Sequence, residues 1–177
     1  MRYRDIPQFT REGSYAVDME PVFLLEWIDK EIETVGLNLY PDFQRGHIWT
    51  KEQQIAYITY VLRGGMSGRD LYFNCPWWDY GEAYGTYQEY VCVDGLQRIT
   101  AWRAFIQNEI AVFDTLYREF TDRWPHSRTM RVHVNTLKTR QEVLQWYIEM
   151  NAGGTPHSDA EIARVQKLLE EENRKEK

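Results

Sequence analysis

Three times along this chain a Ser or Thr is answered three residues later by Gln or Glu, at Thr50/Gln53, Thr139/Glu142 and Ser158/Glu161. The hydroxyl accepts from a free N–H of a helix's opening turn, and the longer side chain reaches back to the first residue's own N–H. Each pair therefore marks a helix start. The apolar residues that follow keep helical spacing: Ile55, Ile58, Val61 and Leu62, then Val143, Leu144, Tyr147 and Ile148, then Ile162, Val165 and Leu169. A further helix is expected after Pro21, which is tolerated in a first turn. Leu25, Ile28, Ile32 and Val35 recur there, and Gly36 offers a left-handed stop. Helices placed this firmly leave only short segments for a sheet.

Those segments are present. Tyr15 to Asp18 alternates, Leu71 to Asn74 and Glu89 to Val93 are rich in β-formers, and Met130 to Val134 reads as a further strand. The second and third are expected to be neighbours, with the aromatic stretch Pro76 to Gly85 between them. Ala101 to Ile106 keeps Trp102, Phe105 and Ile106 on one helical face. The expected fold is α+β, a short mixed sheet surrounded by five to six helices. A length of 177 residues suits one domain, assigned to residues 1–169, with the polar run 170–177 as a charged tail that frays.

Composition narrows the function classes. With 43% hydrophobic and 15% aromatic residues, a packed core is expected. The net charge of −6 repels phosphate and anionic membrane unless a local patch reverses it, which disfavours non-specific coating of nucleic acid. Cys75 and Cys92 form neither a CxxC pair nor a disulfide framework, so a reducing, cytoplasmic setting is expected. No leader-like start and no apolar run of roughly 18 residues is seen, so no membrane partner is expected. The dispersed histidines His47, His126, His133 and His157 lack metal-ligand spacing.

Three segments carry candidate chemistry. In Tyr40-Pro-Asp-Phe-Gln-Arg-Gly-His-Ile-Trp49, apolar anchors bracket Gln44 and Arg45. Arg45 can present its planar fork to a phosphate, or pair structurally with Asp42. In Val91-Cys-Val-Asp-Gly-Leu-Gln-Arg98, a strand runs through Asp94-Gly95 into a helix, whose unpaired N–H groups and positive end favour an anion. Arg98 in that first turn opposes the helix dipole, so an anion between guanidinium and helix end would explain it. Asp94 can cap the helix or hold a divalent cation, and a plain capped turn is the bland alternative. Met150-Asn-Ala-Gly-Gly-Thr-Pro-His157 is a glycine-rich loop that suits close ligand approach or simply ends a helix. Gly64 to Arg69 lacks the Lys-Ser/Thr of a phosphate loop and reads as a turn, leaving Ser67 and Arg69 as weak candidates. Trp77 and Trp78 can stack a base but more often divide between core and surface.

In order, PDFQR..IW, VDGLQR.TA and MNAGGTPHS resemble the ParB/sulfiredoxin-like superfamily. More narrowly they resemble its DGQQR-bearing branch, found at the N-terminus of GmrSD-type modification-dependent restriction enzymes and of phage defence proteins. The resemblance spans roughly residues 15 to 165. It implies a small domain that binds a nucleoside triphosphate, hydrolyses it in several members, and leaves DNA cleavage to a separate domain. By position, Gln44 and Arg45 match the first motif, Asp94, Gly95, Gln97 and Arg98 the second, and Asn151 the third. The implied roles are phosphate clamping by Arg45 and Arg98, close backbone approach at Gly95, and orientation of phosphate or water by Gln97. Asp94 would assist Mg2+ or a similar cation. Leu96 replaces the first Gln of DGQQR, His47 stands where an aromatic is frequent, and His157 where an apolar residue is usual. No His-Asn-His constellation occurs, so autonomous cleavage is not expected.

The leading expectation is a metal-assisted NTPase or phosphotransfer enzyme linked to phage–host conflict or DNA modification, with catalytic roles for Asp94, Gln97 and Arg98. It requires Arg45 and Arg98 to converge. The alternatives are a ParB-like DNA-binding or nicking module with Arg45, Arg69, Arg98 and Arg103 in a basic groove, and a non-catalytic inhibitor whose Trp/Tyr surface engages an effector protein.

Overall fold

Alternation along four strands divides the core into two halves, one on each face of a sheet. The computed structural model describes residues 6, 15–44, 46, 48–78, 86–122, 128–152 and 159–175. Strands β1 (Tyr15–Met19), β2 (Asp70–Asn74), β3 (Val91–Asp94) and β4 (Met130–Asn135) lie in the order β1-β4-β2-β3. Strand β4 pairs antiparallel with β1 and parallel with β2, and β2 pairs antiparallel with β3. The sheet is therefore mixed, and the expected neighbours β2 and β3 do pair.

Helices α1 (Pro21–Val35), α2 (Lys51–Leu62) and α3 (Leu96–Ile106) cover one face. There Leu71, Phe73, Cys92, Met130, Val132 and Val134 of the sheet pack with Leu24, Ile28, Ile58, Val61, Ile99, Trp102 and Phe105. Helices α4 (Arg140–Ala152) and α5 (Asp159–Lys175) cover the other, where Val91 and Val93 meet Val143, Leu144, Trp146, Tyr147 and Val165. This is the α+β class that the patterning implies.

The local signals act as expected at most ends. Thr50 accepts from the Gln53 N–H at 3.3 Å while the Gln53 side chain accepts from the Thr50 N–H at 2.9 Å. Thr139 and Glu142 make the same reciprocal pair, at 3.2 and 3.0 Å. Ser158 lies outside the described residues. Gly36 ends α1 in the left-handed region at φ 76°. Two readings need adjusting. Ile32 and Val35 are exposed, so only the first turns of the α1 stripe, through Ile28, are buried. The run from Glu170 continues α5 through Lys175, because Glu172 pairs with Arg140 and Lys175 and ties the last turns to α4.

Trp78 packs edge-on against Trp27 at 6.4 Å and lies 5.5 Å from Tyr15, and Trp77 is packed on the same core. The tryptophan pair is thus part of the packing. The 64–69 turn is closed by Tyr60 and Ser67, whose hydroxyls lie 2.6 Å apart.

Candidate functional site

The first and second motifs lie side by side because the chain after α1 runs along β3. Asn38 forms a parallel bridge to Val91, its N–H donating to the Tyr90 carbonyl at 2.8 Å. From there Gln44 Nε2 donates to the Val93 carbonyl at 3.2 Å, and its Oε1 is buried with no partner. Gln97 completes the junction. Its Oε1 accepts from the N–H groups of Ile48 and Trp49 at 3.0 and 3.1 Å, and its Nε2 donates to the Gly46 carbonyl at 3.1 Å. The Gln97 amide thus holds the backbone of Gly46, Ile48 and Trp49. Arg45 and His47 lie outside the described residues, and so do residues 153–158 with His157.

The turn after β3 is built by one glycine. Gly95 has φ 125°, a region that favours glycine, and a Cβ there would stand 2.5 Å from Leu71 Cδ2. The requirement for glycine comes from this packing against β2. Gly95 is also the N-cap of α3, which has no side-chain cap. Asp94, which the sequence allowed as a cap, instead accepts a hydrogen bond from Arg98 Nη2. The anion invoked to explain an arginine in a first turn is therefore supplied by the chain itself. Burial works against the charge on Arg98, but Asp94 outweighs it and holds the guanidinium above its ordinary pKa. Arg98 Nε is buried without a partner, so the pairing leaves that donor unused.

Asn151 meets this turn from the opposite layer. A cavity of about 230 Å³ is lined by Tyr72, Asp94, Met150 and Asn151. A register shift in the β2–β3 pairing places Tyr72 opposite Asp94, and the last turns of α4 supply the other two. Asn151 Nδ2 donates to the Tyr147 carbonyl at 2.6 Å, and its Oδ1 has no partner among the described residues.

Tyr72 was not among the expected site residues. Its ring stacks on His133 with centroids 4.6 Å apart and meets Trp146 edge-on at 6.0 Å. His133 Nε2 lies 2.8 Å from Asp70 Oδ1, so strands β2 and β4 carry an Asp–His–Tyr row to the cavity wall. The alternation of Leu71-Tyr-Phe-Asn hinted at which face Tyr72 takes. The pairing with His133 depends on parallel register and has no sequence signal.

Three other expectations can be placed. Arg103 donates to both oxygens of Asp29 at 3.0 and 2.6 Å, Arg98 faces Asp94, and Arg69 lines a separate cavity beside Asp18, Asp70 and Arg131. The described arginines of the DNA alternative thus face carboxylates, and no continuous basic groove forms among them. Cys92 is fully buried and its thiol is pushed up to about 12 by that burial, so it is no nucleophile. Among the described residues no group of three His, Cys, Asp or Glu side chains could hold a metal. Mg2+ needs less, since one or two carboxylates with substrate phosphates suffice. Asp94, lining the cavity with only Oδ2 engaged, fits that mode.

Among the described residues no helix is long and apolar enough to cross a membrane. No protein-family model matches the chain, and no curated protein or solved structure matches it significantly.

Proposed function

We propose that this chain is a nucleotide-binding domain of the DGQQR type, acting as a metal-assisted NTPase or phosphotransfer enzyme in phage–host conflict or DNA modification. The carrying observation is that Asp94 and Asn151, from motifs far apart in sequence, line one cavity, with Arg98 paired to the former. At about 230 Å³ the cavity is smaller than the roughly 300–1,000 Å³ of whole-ligand pockets, which suits a phosphate or ribose with the rest of the ligand outside.

The division of labour follows from the bonds already made. Arg98 keeps its positive charge at any working pH, and its unpartnered Nε is a donor that a phosphate oxygen would satisfy. Asn151 offers an amide from the far wall. Gln44 donates to β3, and Gln97 ties Gly46, Ile48 and Trp49 to the start of α3. Asp94 restrains Arg98 through one oxygen and would hold Mg2+ through the other, the ion neutralising phosphate charge when bound.

Thermal unfolding with ATP, GTP, CTP and ADP, with and without magnesium, tests this reading. A ligand at a hundred times its Kd stabilises by about 2.7 kcal/mol, a shift of several degrees for a chain of this size. One nucleotide is expected to shift wild type and to lose the shift in both Arg98→Ala and Asn151→Ala. The second variant removes only a helix-end hydrogen bond, so its stability controls for the first. Absence of a shift with all four nucleotides would overturn the proposal.

A further inference from the structure

The cavity beside Asp94 has walls that distinguish one part of a nucleotide from another. At about 230 Å³ it holds a fragment of such a ligand, and it is lined by Tyr72, Asp94, Met150 and Asn151. Arg98, which Asp94 holds, is not in that lining, and among the described residues no basic side chain is. The larger cavity beside Asp42 differs, for Arg140 and Lys175 both line it. A phosphate entering the smaller cavity would meet a carboxylate with no cation among the described wall residues to offset it. The phosphates, and the cation that travels with them, therefore belong on the Arg98 side of Asp94. The cavity is left for a neutral part of the ligand.

The hydrogen bonds already made say what that part must offer. Asn151 Nδ2 donates to the Tyr147 carbonyl at 2.6 Å, which fixes the orientation of the amide. Its Oδ1 makes no hydrogen bond among the described residues and, unlike Gln44 Oε1, is not sealed from water. Asp94 engages only Oδ2. The lining thus holds two unengaged acceptor oxygens, which call for a group that donates. An amide oxygen beside a remaining N–H suits a hydroxyl, which donates and accepts at once. Tyr72 and Met150 supply the apolar walls. The Tyr72 ring is held by His133, stacked on it with centroids 4.6 Å apart, and by Trp146, packed nearly perpendicular at 6.0 Å. It is the only aromatic among the four described lining residues, so they form no slot between two flat walls for a nucleobase, and a puckered sugar fits them better.

We propose that this cavity is a ribose subsite, with Asn151 Oδ1 accepting from the 2′-hydroxyl and the Tyr72 ring against the carbon face of the sugar, so that the protein selects ribonucleotides over 2′-deoxyribonucleotides. The 2′ carbon is further along the sugar from the 5′-phosphates than the 3′ carbon is. With the phosphates on the Arg98 side, the 2′-hydroxyl meets Asn151, which comes from the opposite layer, and the 3′ side stays by Asp94. This inference rests on the nucleotide reading and narrows it, since the sugar and not a phosphate occupies the cavity. Tyr72 becomes a specificity-determining residue that none of the three motifs contains.

Calorimetric titration of the full chain with ATP, GTP and CTP and with their 2′-deoxy forms, magnesium present throughout, tests it. The ribonucleotide that binds is expected to bind about tenfold tighter than its deoxy form, the scale of one hydrogen bond lost with its acceptor left unpaired. In Asn151→Ala that ratio should fall below about twofold, because the acceptor is gone. NMR of the wild-type complex should show contacts between the Tyr72 ring protons and the sugar protons of the nucleotide. That measurement needs no variant, so it carries the test where Asn151→Ala binds too weakly to titrate. Equal affinity for the ribo and deoxy forms, an unchanged ratio in Asn151→Ala, or Tyr72 contacts confined to base protons would each overturn the ribose assignment while the nucleotide reading stands. Binding of neither form of any of the three would overturn both.

Discussion

Asp94 and Arg98 sit four residues apart on one turn, with side chains 35% and 18% exposed, whereas Asp42 and Arg140 are 98 residues apart and 62% and 21% exposed. Both are aspartate–arginine pairs beside a cavity. The first is local, made as soon as α3 forms, and it is sheltered by the core around Cys92. The second is tertiary: it ties the α4–α5 hairpin to the 42–43 segment, where Arg164 also donates to the Asp42 and Phe43 carbonyls at 2.8 and 2.6 Å. The same chemistry therefore does two jobs. Where the pair is partly sheltered it sets a side chain's charge and direction, and where water reaches the carboxylate freely it mainly holds register between elements.

The comparison breaks most readily at the glycine that makes the first turn. Gly95→Ala forces a strained φ and a Cβ into Leu71, and should cost about 3 kcal/mol in denaturant unfolding. A loss below about 0.5 kcal/mol would show that the turn can relax. Next in size, Asp94→Asn leaves Arg98 poorly compensated in a partly buried place and should cost about 1–2 kcal/mol, with solvent screening already allowed for. Asp42→Asn should cost less than about 1 kcal/mol because its carboxylate is open to water. Equal losses from the two asparagine variants would remove the distinction between sheltered and open pairs.

Two smaller effects sharpen it. Cys92, beneath the first region, has its thiol pushed up to about 12, so it should resist iodoacetamide at pH 8 until the chain is unfolded. Rapid labelling of native protein would mean that the region opens. Asp18 is the exposed control, its carboxyl held below the ordinary 3.8 mainly by the Arg131 hydrogen bond. A lowered value stabilises the fold above the ordinary carboxylate pKa, and that contribution disappears as pH falls through the folded value. An NMR titration of Asp18 with its midpoint at or above 3.8 would refute this.

Helix starts were legible because a capping box is a short-range bargain among three or four residues, complete before any distant contact forms. The position of Asp94, Gly95, Gln97 and Arg98 on one strand-to-helix turn was legible for the same reason. Their partners were harder to read. Gln97 bonds to residues about 50 positions earlier, and nothing in its surroundings in the chain distinguishes that use from a ligand contact. Tyr72 and His133 meet only because β2 and β4 run parallel in one register.

What the amino-acid order determined by itself was most of the elements and the glycine at the head of α3, set by backbone sterics and hydrogen bonds within a few residues. Only the tertiary structure decided that Gln97 holds the backbone of Ile48 and Trp49, that Asn151 closes the cavity beside Asp94, and that Asp42 belongs to Arg140. Those choices depend on which distant charges and amides become neighbours when water leaves the sheet, and no local pattern encodes that sum.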